Sequence, residues 1–501
     1  MYAMSGLSGL TLACAAVSKC EPDPDDGEDA LEPRAAIRKA HSVKVPRLYK
    51  TCAKVLQIHD EGRGALKNLI YGANHPNVKA MLALLTACVD HRHQLTALRV
   101  HLKWEEREPR LDPGLADVLL TELLWGKGRL PGQSRPVQTI LTYEAAIRRF
   151  QLPPLTDSVV ERKRLTRIRP RYVRINRLLA PDTGTVMRQI QADGFSLMSQ
   201  VSLSQTYEQF LSRVRDLQPG QFILDYHIPD LLVFAPGSQF HDHPLYRAGV
   251  LLLQDKASCL PVHCLALPSG AVVLDACAAP GMKTSQVAAS VWTVGTRNGP
   301  CVYAVERDRQ RFHTLRKMLQ NKGAAECVKI FNNDFLCLDP ARFDDVEYIV
   351  LDPSCSGSGM LNRCEKVDLS DERLENLAKH QTRLLLHAGT FPQVRKISYS
   401  TCSIMDQENE GVVSAVLADP KFGANFELCP QVLPSWSRRG RGEERFKACL
   451  RSDPSEDLCN GFFVSVFQRK SEPNVEAPII RARKRKSNSA PESRRRKMTE
   501  V

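Results

Sequence analysis

The chain has 501 residues, of which 43% are hydrophobic, and its formal net charge is +13 at pH 7. This length predicts two or three domains of ~150 residues each, and the positive charge favours an anionic partner, with nucleic acid as the first candidate. No apolar run reaches the ~18 residues that a membrane span requires, and the apolar N-terminus lacks the basic start of a signal peptide. The sixteen cysteines are scattered, which is typical of a reduced intracellular protein rather than a disulfide-bonded one.

The first part of the chain predicts an acidic segment followed by a helical domain. Residues 1–44 are expected to be disordered, because seven acidic residues and no basic one fall between Glu21 and Glu32. Residues 45–155 show the apolar spacing of helices, and Gly126 is expected to end one of them. No residue in this domain suggests catalysis.

Residues 156–262 predict a smaller α+β module with a strongly basic start. Glu161–Arg174 holds seven Arg or Lys residues against one acid, and Pro170–Asn176 alternates like a strand. Most basic runs are solvated charged faces. Here the charge density and the interleaved Tyr172 make RNA contact an equally good interpretation, in which the cations neutralise phosphates and Tyr172 stacks on a base.

Residues 263–470 alternate between strands and helices. This pattern predicts an α/β fold with a doubly wound, mainly parallel, seven-stranded sheet and helices on both faces. The strands recognisable in the sequence are Ala271–Ala276, Cys301–Glu306, Val328–Phe331, Tyr348–Asp352, Ile397–Ser400 and Phe462–Phe467. The intervening helices are Lys283–Val291, Arg309–Gln320, Leu374–Phe391 and Glu408–Leu417.

Residues 471–501 predict a disordered basic tail. Basic clusters at 481–486 and 494–497 are separated by a small polar spacer. This spacing suits a bipartite nuclear import signal or a phosphate-binding arm, and a plain disordered tail is the competing interpretation.

Two of the predicted strands end in a cysteine beside small hydroxyl residues. One leads into Asp352-Pro353-Ser354-Cys355, and the other leads into Thr401-Cys402-Ser403. Ligands bind at the carboxyl ends of the strands in sheets of this kind. The sequence therefore predicts that both thiols face one pocket.

The turn after the first strand predicts a ligand site. It consists of small residues that allow close approach of the backbone, followed by a helix N-terminus that offers free N–H groups to an anion. Its spacing is neither that of a Walker A loop nor that of a dinucleotide-binding glycine motif. Asp275, Glu306 and Asp334 end three successive strands. Each acid alone could equally be a helix cap, but together they favour an adenosine-bearing ligand, with Glu306 on the ribose hydroxyls and Asp334 near the adenine.

Three motifs carry a resemblance to a known family. L-D-A-C-A-A-P-G-M-K-T, L-D-P-S-C-S-G-S-G and Y-S-T-C-S, in that order, resemble the Sun-domain (Fmu-type) RNA cytosine-5 methyltransferases, and the likeness runs from about Arg167 to Lys470. H-P-L-Y-R-A-G-V-L-L-L-Q-D-K and the closing G-F-F-V-S-V are similar, more narrowly, to the fifth member of the nucleolar group of that family, which is identified with large-subunit ribosomal RNA. The resemblance implies an enzyme of the nucleus and nucleolus that acts on RNA, either naked or within a pre-ribosomal particle.

The same resemblance implies the site residues. The catalytic residues would be Cys402 as nucleophile and Cys355 as its helper, assisted by Asp352 and Lys283. No metal is implied. The methyl donor S-adenosyl-L-methionine would be bound by Cys277, Ala278, Ala279, Pro280, Gly281, Met282, Lys283, Glu306, Arg311, Asp334 and Asp352.

The chemistry explains why these residue types are needed. Carbon 5 of cytosine is a poor nucleophile until a thiolate adds at carbon 6, which is covalent catalysis. Asp352 would hydrogen-bond the ring nitrogen 3 and the exocyclic amine. Cys355 would assist the loss of the carbon 5 proton, either directly or through water. Lys283 would either orient Asp352 or simply begin a helix.

Two other functions remain open from the sequence. A DNA cytosine methyltransferase would use the cysteine of a Pro-Cys pair, but here Ser354 separates Pro353 from Cys355, which favours Cys402 as nucleophile and RNA as substrate. A non-catalytic ribosome-assembly factor could keep the same fold for RNA binding. The intact cysteines and acids argue against that loss of activity.

Overall fold

The computed structural model describes residues 44–64, 66–198, 206–292, 301–361 and 370–470. The predictions for the acidic segment up to residue 43 and for the basic tail 471–501 lie outside these ranges. Within them, no helix is both long and apolar enough to cross a membrane.

The N-terminal domain is a set of helices around one apolar core. They are α1 (Arg47–Asp60), α2 (Leu66–Gly72), α3 (Val78–Asp90), α4 (Arg92–His101), α5 (Trp104–Arg107), α6 (Pro113–Leu124), α7 (Arg135–Thr142) and α8 (Glu144–Arg149). Helix α6 is central to the core, since Val118 and Leu119 are fully buried. The Asp112 side chain caps its start by accepting a hydrogen bond from Leu115 N. Helix α6 ends at Leu124, two residues before Gly126, the glycine at which the sequence predicts the end of a helix.

The next helix, α9 (Asp157–Ile168), carries much of the basic stretch, and several of its cations contact protein carboxylates. Arg162 forms an ion pair with Asp90 of α3, and Lys163 Nζ lies 3.5 Å from the same carboxyl group. Arg164 pairs with Glu161 on its own helix at 2.6 Å. Folding therefore supplies counter-charges to these three cations, but the side chains of Lys163 and Arg164 remain 36% and 52% exposed. RNA contact by this run stays a prediction.

The middle module is an α+β unit with a five-stranded sheet. Its elements are β1 (Arg171–Ile175), α10 (Thr183–Ala192), β2 (Ser196–Leu197), α11 (Tyr207–Arg215), β3 (Gln221–Leu224), β4 (Leu231–Phe234), α12 (Pro244–Arg247), β5 (Leu251–Leu253) and α13 (Lys256–His263). The strand order is β2-β3-β4-β1-β5, with only the short β2–β3 pair parallel.

Strand β1 corrects two sequence-based expectations. It is an interior strand, paired with β4 and β5, and apolar layers cover both of its faces. Tyr172 is consequently 4% exposed, so the prediction that it offers a stacking face to RNA is wrong. Arg174 is fully buried and donates hydrogen bonds to Gln254 and Ser285, both at 2.7 Å. It ties the module to the C-terminal domain and is not available to phosphates.

The C-terminal domain contains the large sheet. Its elements are β6 (Val273–Asp275), α14 (Met282–Val291), β7 (Val302–Val305), α15 (Arg309–Asn321), β8 (Val328–Phe331), β9 (Tyr348–Leu351), α16 (Asp371–Ala388), β10 (Lys396–Thr401), α17 (Glu410–Ala418), α18 (Pro420–Asn425), β11 (Phe426–Leu428), β12 (Leu450–Ser452) and β13 (Phe462–Arg469). The order is β11-β13-β10-β9-β6-β7-β8, and β12 pairs with β13 outside this path. The sheet therefore has eight strands where seven were predicted.

The predicted doubly wound, mainly parallel architecture is confirmed. Strands β10, β9, β6, β7 and β8 run parallel, and β13 is antiparallel to β10. Successive residues of β6 face opposite cores, Val273 on the side of α14 and Leu274 on the side of α16. From β6 the chain first adds β7 and β8 on one side, and then β9 and β10 on the other. Ligands bind in the crevice at such a reversal.

Candidate active site

A cavity of about 280 Å³ opens at the carboxyl ends of β6, β7, β9 and β10. The predicted site residues that line it are Cys277, Ala279, Glu306, Arg311, Asp334, Asp352, Cys355 and Cys402. Those that lie in the adjoining loop or helix start, and do not line it, are Ala278, Pro280, Gly281, Met282 and Lys283. A groove of about 940 Å³ beside β11 is larger, but none of its lining residues is among the predicted site residues.

The two predicted cysteines are in direct contact in this cavity. Adjacent parallel strands β9 and β10 deliver Cys355 and Cys402, and their sulfur atoms are 3.1 Å apart. A hydrogen bond from the Cys355 thiol lowers the pKa of Cys402, and the nearby Lys283 ammonium adds to this effect. The same contact and burial raise the pKa of Cys355 well above its usual value. Cys402 is therefore favoured as the thiolate, which is the nucleophilic form, and Cys355 as the thiol.

The opposed pKa shifts of the two cysteines predict how the reactivity of Cys402 depends on pH. In Cys355→Ala the hydrogen-bond donor is lost, so the pKa of Cys402 should rise and its thiolate should appear at higher pH than in the wild type. We expect the pH midpoint for iodoacetamide labelling of Cys402, followed by mass spectrometry, to move upwards. The exposed Cys337 serves as an internal control whose labelling profile should not change. A Cys402 midpoint that stays in place would show that Cys355 does not stabilise the thiolate.

Buried polar groups hold the two cysteine loops together, and the sequence had not indicated them. Glu408 Oε1 accepts hydrogen bonds from Ser356 N at 2.9 Å and from Gln381 Nε2 at 3.0 Å. Thr401 Oγ1 donates to Asn409 Oδ1 at 2.5 Å. The available signal is the polar run D-Q-E-N-E just after the second cysteine motif, although the sequence pattern predicts only that a helix starts at Glu408. The structure places Glu408 and Asn409 ahead of α17, under the loops.

Asp352 and Lys283 form an ion pair at the edge of the thiol pair. Lys283 Nζ lies 2.7 Å from Asp352 Oδ2, and Ser400 Oγ donates to Asp352 Oδ1 at 2.8 Å. Burial disfavours the charged form of Lys283, but attraction to Asp352 and the hydrogen bond between them raise its pKa overall. Lys283 is thus a cation that orients Asp352, and it is also the second residue of α14, so both interpretations of this residue describe its geometry.

The loop from Cys277 to Lys283 depends on a glycine and a buried acid. Gly281 has φ of +110°, and a Cβ atom there would come within 2.8 Å of Leu315 Cδ1, so no other residue fits without rearrangement. Thr284 Oγ1 donates to Asp275 Oδ2 at 2.7 Å beneath the loop. Burial raises the pKa of Asp275 to about 6. Asp275 does not line the cavity, so this acid supports the loop instead of meeting a ligand.

Glu306 and Asp334 both line the cavity and both cap the turn that follows them. Glu306 Oε1 accepts a hydrogen bond from Asp308 N at 2.9 Å, and Asp334 Oδ1 accepts one from Leu336 N at 3.0 Å. Their second oxygens lie 3.5 Å from Arg311 and Arg307 respectively. A carboxylate has about four acceptor positions. The capping and ligand-binding interpretations are therefore compatible for each acid.

Comparison with known proteins identifies the family of this chain. The family described as 16S rRNA methyltransferase RsmB/F matches residues 262–468, and the ferredoxin-like domain of NOL1/NOP2/Sun domain family member 5 matches residues 169–254. The chain is 36% identical to the 28S rRNA (cytosine-C(5))-methyltransferase of Drosophila melanogaster, over 87% of this chain and 99% of that protein. It is 37% identical to the Mus musculus enzyme of the same name, over 86% of this chain and 93% of the relative.

A solved structure shares the fold. The crystal structure of PH0851 superimposes with a TM-score of 0.56 at 17% identity, and it covers 85% of this chain and 100% of that one. At this identity the likeness concerns the fold alone. The family matches and the extent of the two curated relatives show that this chain is a methyltransferase of the NOL1/NOP2/Sun-domain family, of the member 5 type.

Proposed function

We propose that this enzyme methylates carbon 5 of a cytosine in large-subunit ribosomal RNA, with S-adenosyl-L-methionine as the methyl donor. The observation that carries the proposal is the pair of cysteines in contact, with opposed shifts in pKa, beside the Asp352–Lys283 ion pair. Ribosomal RNA is supported by the names of relatives that match this chain over most of its length.

The residues around the cavity fit the proposed cofactor. Glu306 and Asp334 retain acceptor positions for the ribose hydroxyls and the adenine, and the loop at Cys277 and Ala279 forms the neighbouring wall. Arg311 steadies this wall by donating to Ala279 O at 2.6 Å. When bound, S-adenosyl-L-methionine supplies an electrophilic methyl group.

The side chains account for the proton and electron movements on the cytosine. The Cys402 thiolate adds to carbon 6 and forms a C–S bond, which makes carbon 5 electron-rich. Asp352, oriented by Lys283 and Ser400, accepts a hydrogen bond from the exocyclic amine of the base. Once carbon 5 carries the methyl group, a base removes the proton of carbon 5, and Cys355 assists this step directly or through water. The electron pair of that C–H bond then expels Cys402 as a thiolate.

Methylation of purified RNA tests this proposal. Large-subunit ribosomal RNA from cells lacking the protein would be incubated with the enzyme and radiolabelled S-adenosylmethionine, and the 5-methylcytosine would then be mapped. We expect labelling at a cytosine of this RNA by the wild type, none by Cys402→Ala, and none in single-stranded DNA of the same sequence. RNA binding without any label would favour the alternative, a non-catalytic ribosome-assembly factor. Labelling of the DNA alone would favour a DNA methyltransferase.

The cofactor assignment predicts a loss of affinity in two variants. Glu306→Ala and Asp334→Ala should each remove a hydrogen bond to S-adenosylmethionine, which usually costs ~0.5–1.5 kcal/mol, or roughly two- to tenfold in Kd. Calorimetric titration would measure this. Asp339→Ala is a matched control, because Asp339 caps the next 3₁₀ turn by accepting from Ala341 N at 3.1 Å but does not line the cavity. If all three variants bound S-adenosylmethionine with equal affinity, neither acid would be assigned to the cofactor site.

A further inference from the structure

Two large apolar side chains are exposed beside the paired cysteines. Met360 is 42% exposed and Ile404 is 45% exposed, five residues after Cys355 and two residues after Cys402. The described ranges contain six other exposed large apolar side chains, and all of them precede residue 180. Isolated apolar residues on a surface are ordinary. In the described part of the C-terminal domain, however, these two stand together at the reacting thiols.

The backbone fixes Ile404 and the residue before Met360 next to one another. Gly359 N donates to Cys402 O at 3.0 Å, and Gly461 N donates to Gly359 O at 2.8 Å. A Cβ atom at Gly461 would come within 2.8 Å of Ile404 Cγ2 and 2.9 Å of Gly359 Cα. The two segments therefore meet across a glycine that leaves no room for a side chain.

Ser358, in the loop that follows Cys355, holds the segment after Cys402 in place. Ile404 N donates to Ser358 Oγ at 3.0 Å, and Ser358 Oγ also lies 3.1 Å from Ser403 Oγ. The exposed side chain of Ile404 is thus attached to a hydrogen-bonded frame, and its position is coupled to that of Cys402.

One member of the apolar pair, Met360, borders the cavity that contains the reactive groups, and Ile404 follows the cavity-lining Cys402 by two residues. Met360 lines that cavity together with Asp352, Cys355 and Cys402. A cytosine within a helix cannot reach a thiol in such a cavity while it stays stacked between its neighbours. Enzymes that act on bases therefore take the target out of the stack, and they pay for unstacking with new contacts. Methionine and isoleucine are among the side chains that enter or cover the gap between bases in other nucleic-acid complexes.

We propose that Met360 and Ile404 form an apolar rim that packs against the bases flanking the target cytosine and keeps that cytosine out of the stack. The proposal rests on the RNA methylation proposed above. It makes both residues positioning residues, since they act on the neighbours of the reacting base. The rim should matter most when the target begins in a paired helix, and least when it is already unpaired.

Two forms of one RNA test this rim. A synthetic fragment surrounding the cytosine that the wild type methylates would be prepared with that cytosine paired, and with it bulged by omission of the opposing nucleotide. For Met360→Ala/Ile404→Ala we expect kcat/KM to fall about tenfold on the paired form and less than about threefold on the bulged form, since only the paired form must be unstacked and apolar contacts offset part of that cost. Met360→Leu/Ile404→Leu should restore most of the activity. Val100→Ala, at an exposed apolar site of the helical domain, should match the wild type.

A second readout is independent of methyl transfer. In a stem of large-subunit ribosomal RNA with 2-aminopurine at the target position, binding of the wild type should raise the fluorescence as the base unstacks, and the double Ala variant should raise it less. Equal losses of kcat/KM on both RNA forms, or equal fluorescence for wild type and double Ala variant, would overturn the rim. Failure of the wild type to methylate any ribosomal RNA would instead overturn the proposed function, and with it the rim that rests on it.

Discussion

Cys355→Ala is expected to remain covalently attached to its RNA, whereas Cys402→Ala is expected to lose both methylation and attachment. The two sulfurs are 3.1 Å apart, yet the proposed mechanism assigns them to different steps. If Cys402 attacks carbon 6, its removal prevents the C–S bond from forming, and activity should fall at least about a thousandfold. If Cys355 assists release, its loss permits attack and methyl transfer but stalls elimination, so the conjugate accumulates.

Denaturing gel electrophoresis with labelled RNA would separate these outcomes. Because Cys355 also lowers the pKa of Cys402, the assay should be run above neutral pH, where loss of that effect does not limit attack. Cys429→Ala is a suitable control, since this free cysteine is partly buried and does not line the cavity. If Cys402→Ala traps RNA and Cys355→Ala does not, the two roles are reversed and the mechanism resembles that of the DNA enzymes.

Asp225→Ala is expected to destabilise the protein strongly. Lys256 Nζ lies 2.7 Å from Asp225 Oδ2, and both side chains are fully buried. The rings of Tyr207, Phe210 and Trp436 surround the ammonium at 4.7, 5.3 and 5.6 Å from their centroids. Removing the carboxylate would leave a cation unpaired in this aromatic enclosure. Breaking a buried pair in this way usually costs ~3–5 kcal/mol, which should appear as a clear fall in Tm.

Two further variants test why Asp225→Ala should lower the Tm. Asp216→Ala changes an exposed acid of the same module and should alter Tm little. Asp225→Leu/Lys256→Met replaces the pair by apolar groups and should recover part of the lost stability, because no unpaired charge remains. The hydrogen bonds that Asp225 Oδ1 accepts from His227 N at 2.9 Å and Ile228 N at 3.0 Å stay lost. Equal Tm values for Asp225→Ala and Asp216→Ala would mean that the ammonium finds another partner or leaves the enclosure.

Local patterns were sufficient to predict the architecture of the C-terminal domain and the meeting of Cys355 and Cys402 in one cavity. The spacing of apolar residues distinguishes strands from helices within a short window, and β8 was located at Val328–Phe331 as observed. Because the carboxyl ends of parallel strands meet at one edge, the predicted strands ending near Cys355 and Cys402 were enough to place both thiols in one pocket. The three motifs then indicated the family, since their residue types and order reflect one kind of chemistry.

Only the tertiary structure decided which side chains remain accessible and how the site is supported. Polar and apolar residues alternate along β1 as in a strand with one face in solvent. Packing on both sides nevertheless buries Tyr172 and Arg174. Glu408, which follows Cys402 closely in the chain, accepts a hydrogen bond from Ser356 in the loop of Cys355. Gly359, beside the exposed Met360, is hydrogen-bonded to Gly461, about a hundred positions away in the chain. The opposed pKa shifts of Cys355 and Cys402 likewise require a contact between strands. Secondary structure follows from the local period of the sequence, whereas burial and charge pairing depend on neighbours that only the folded chain brings together.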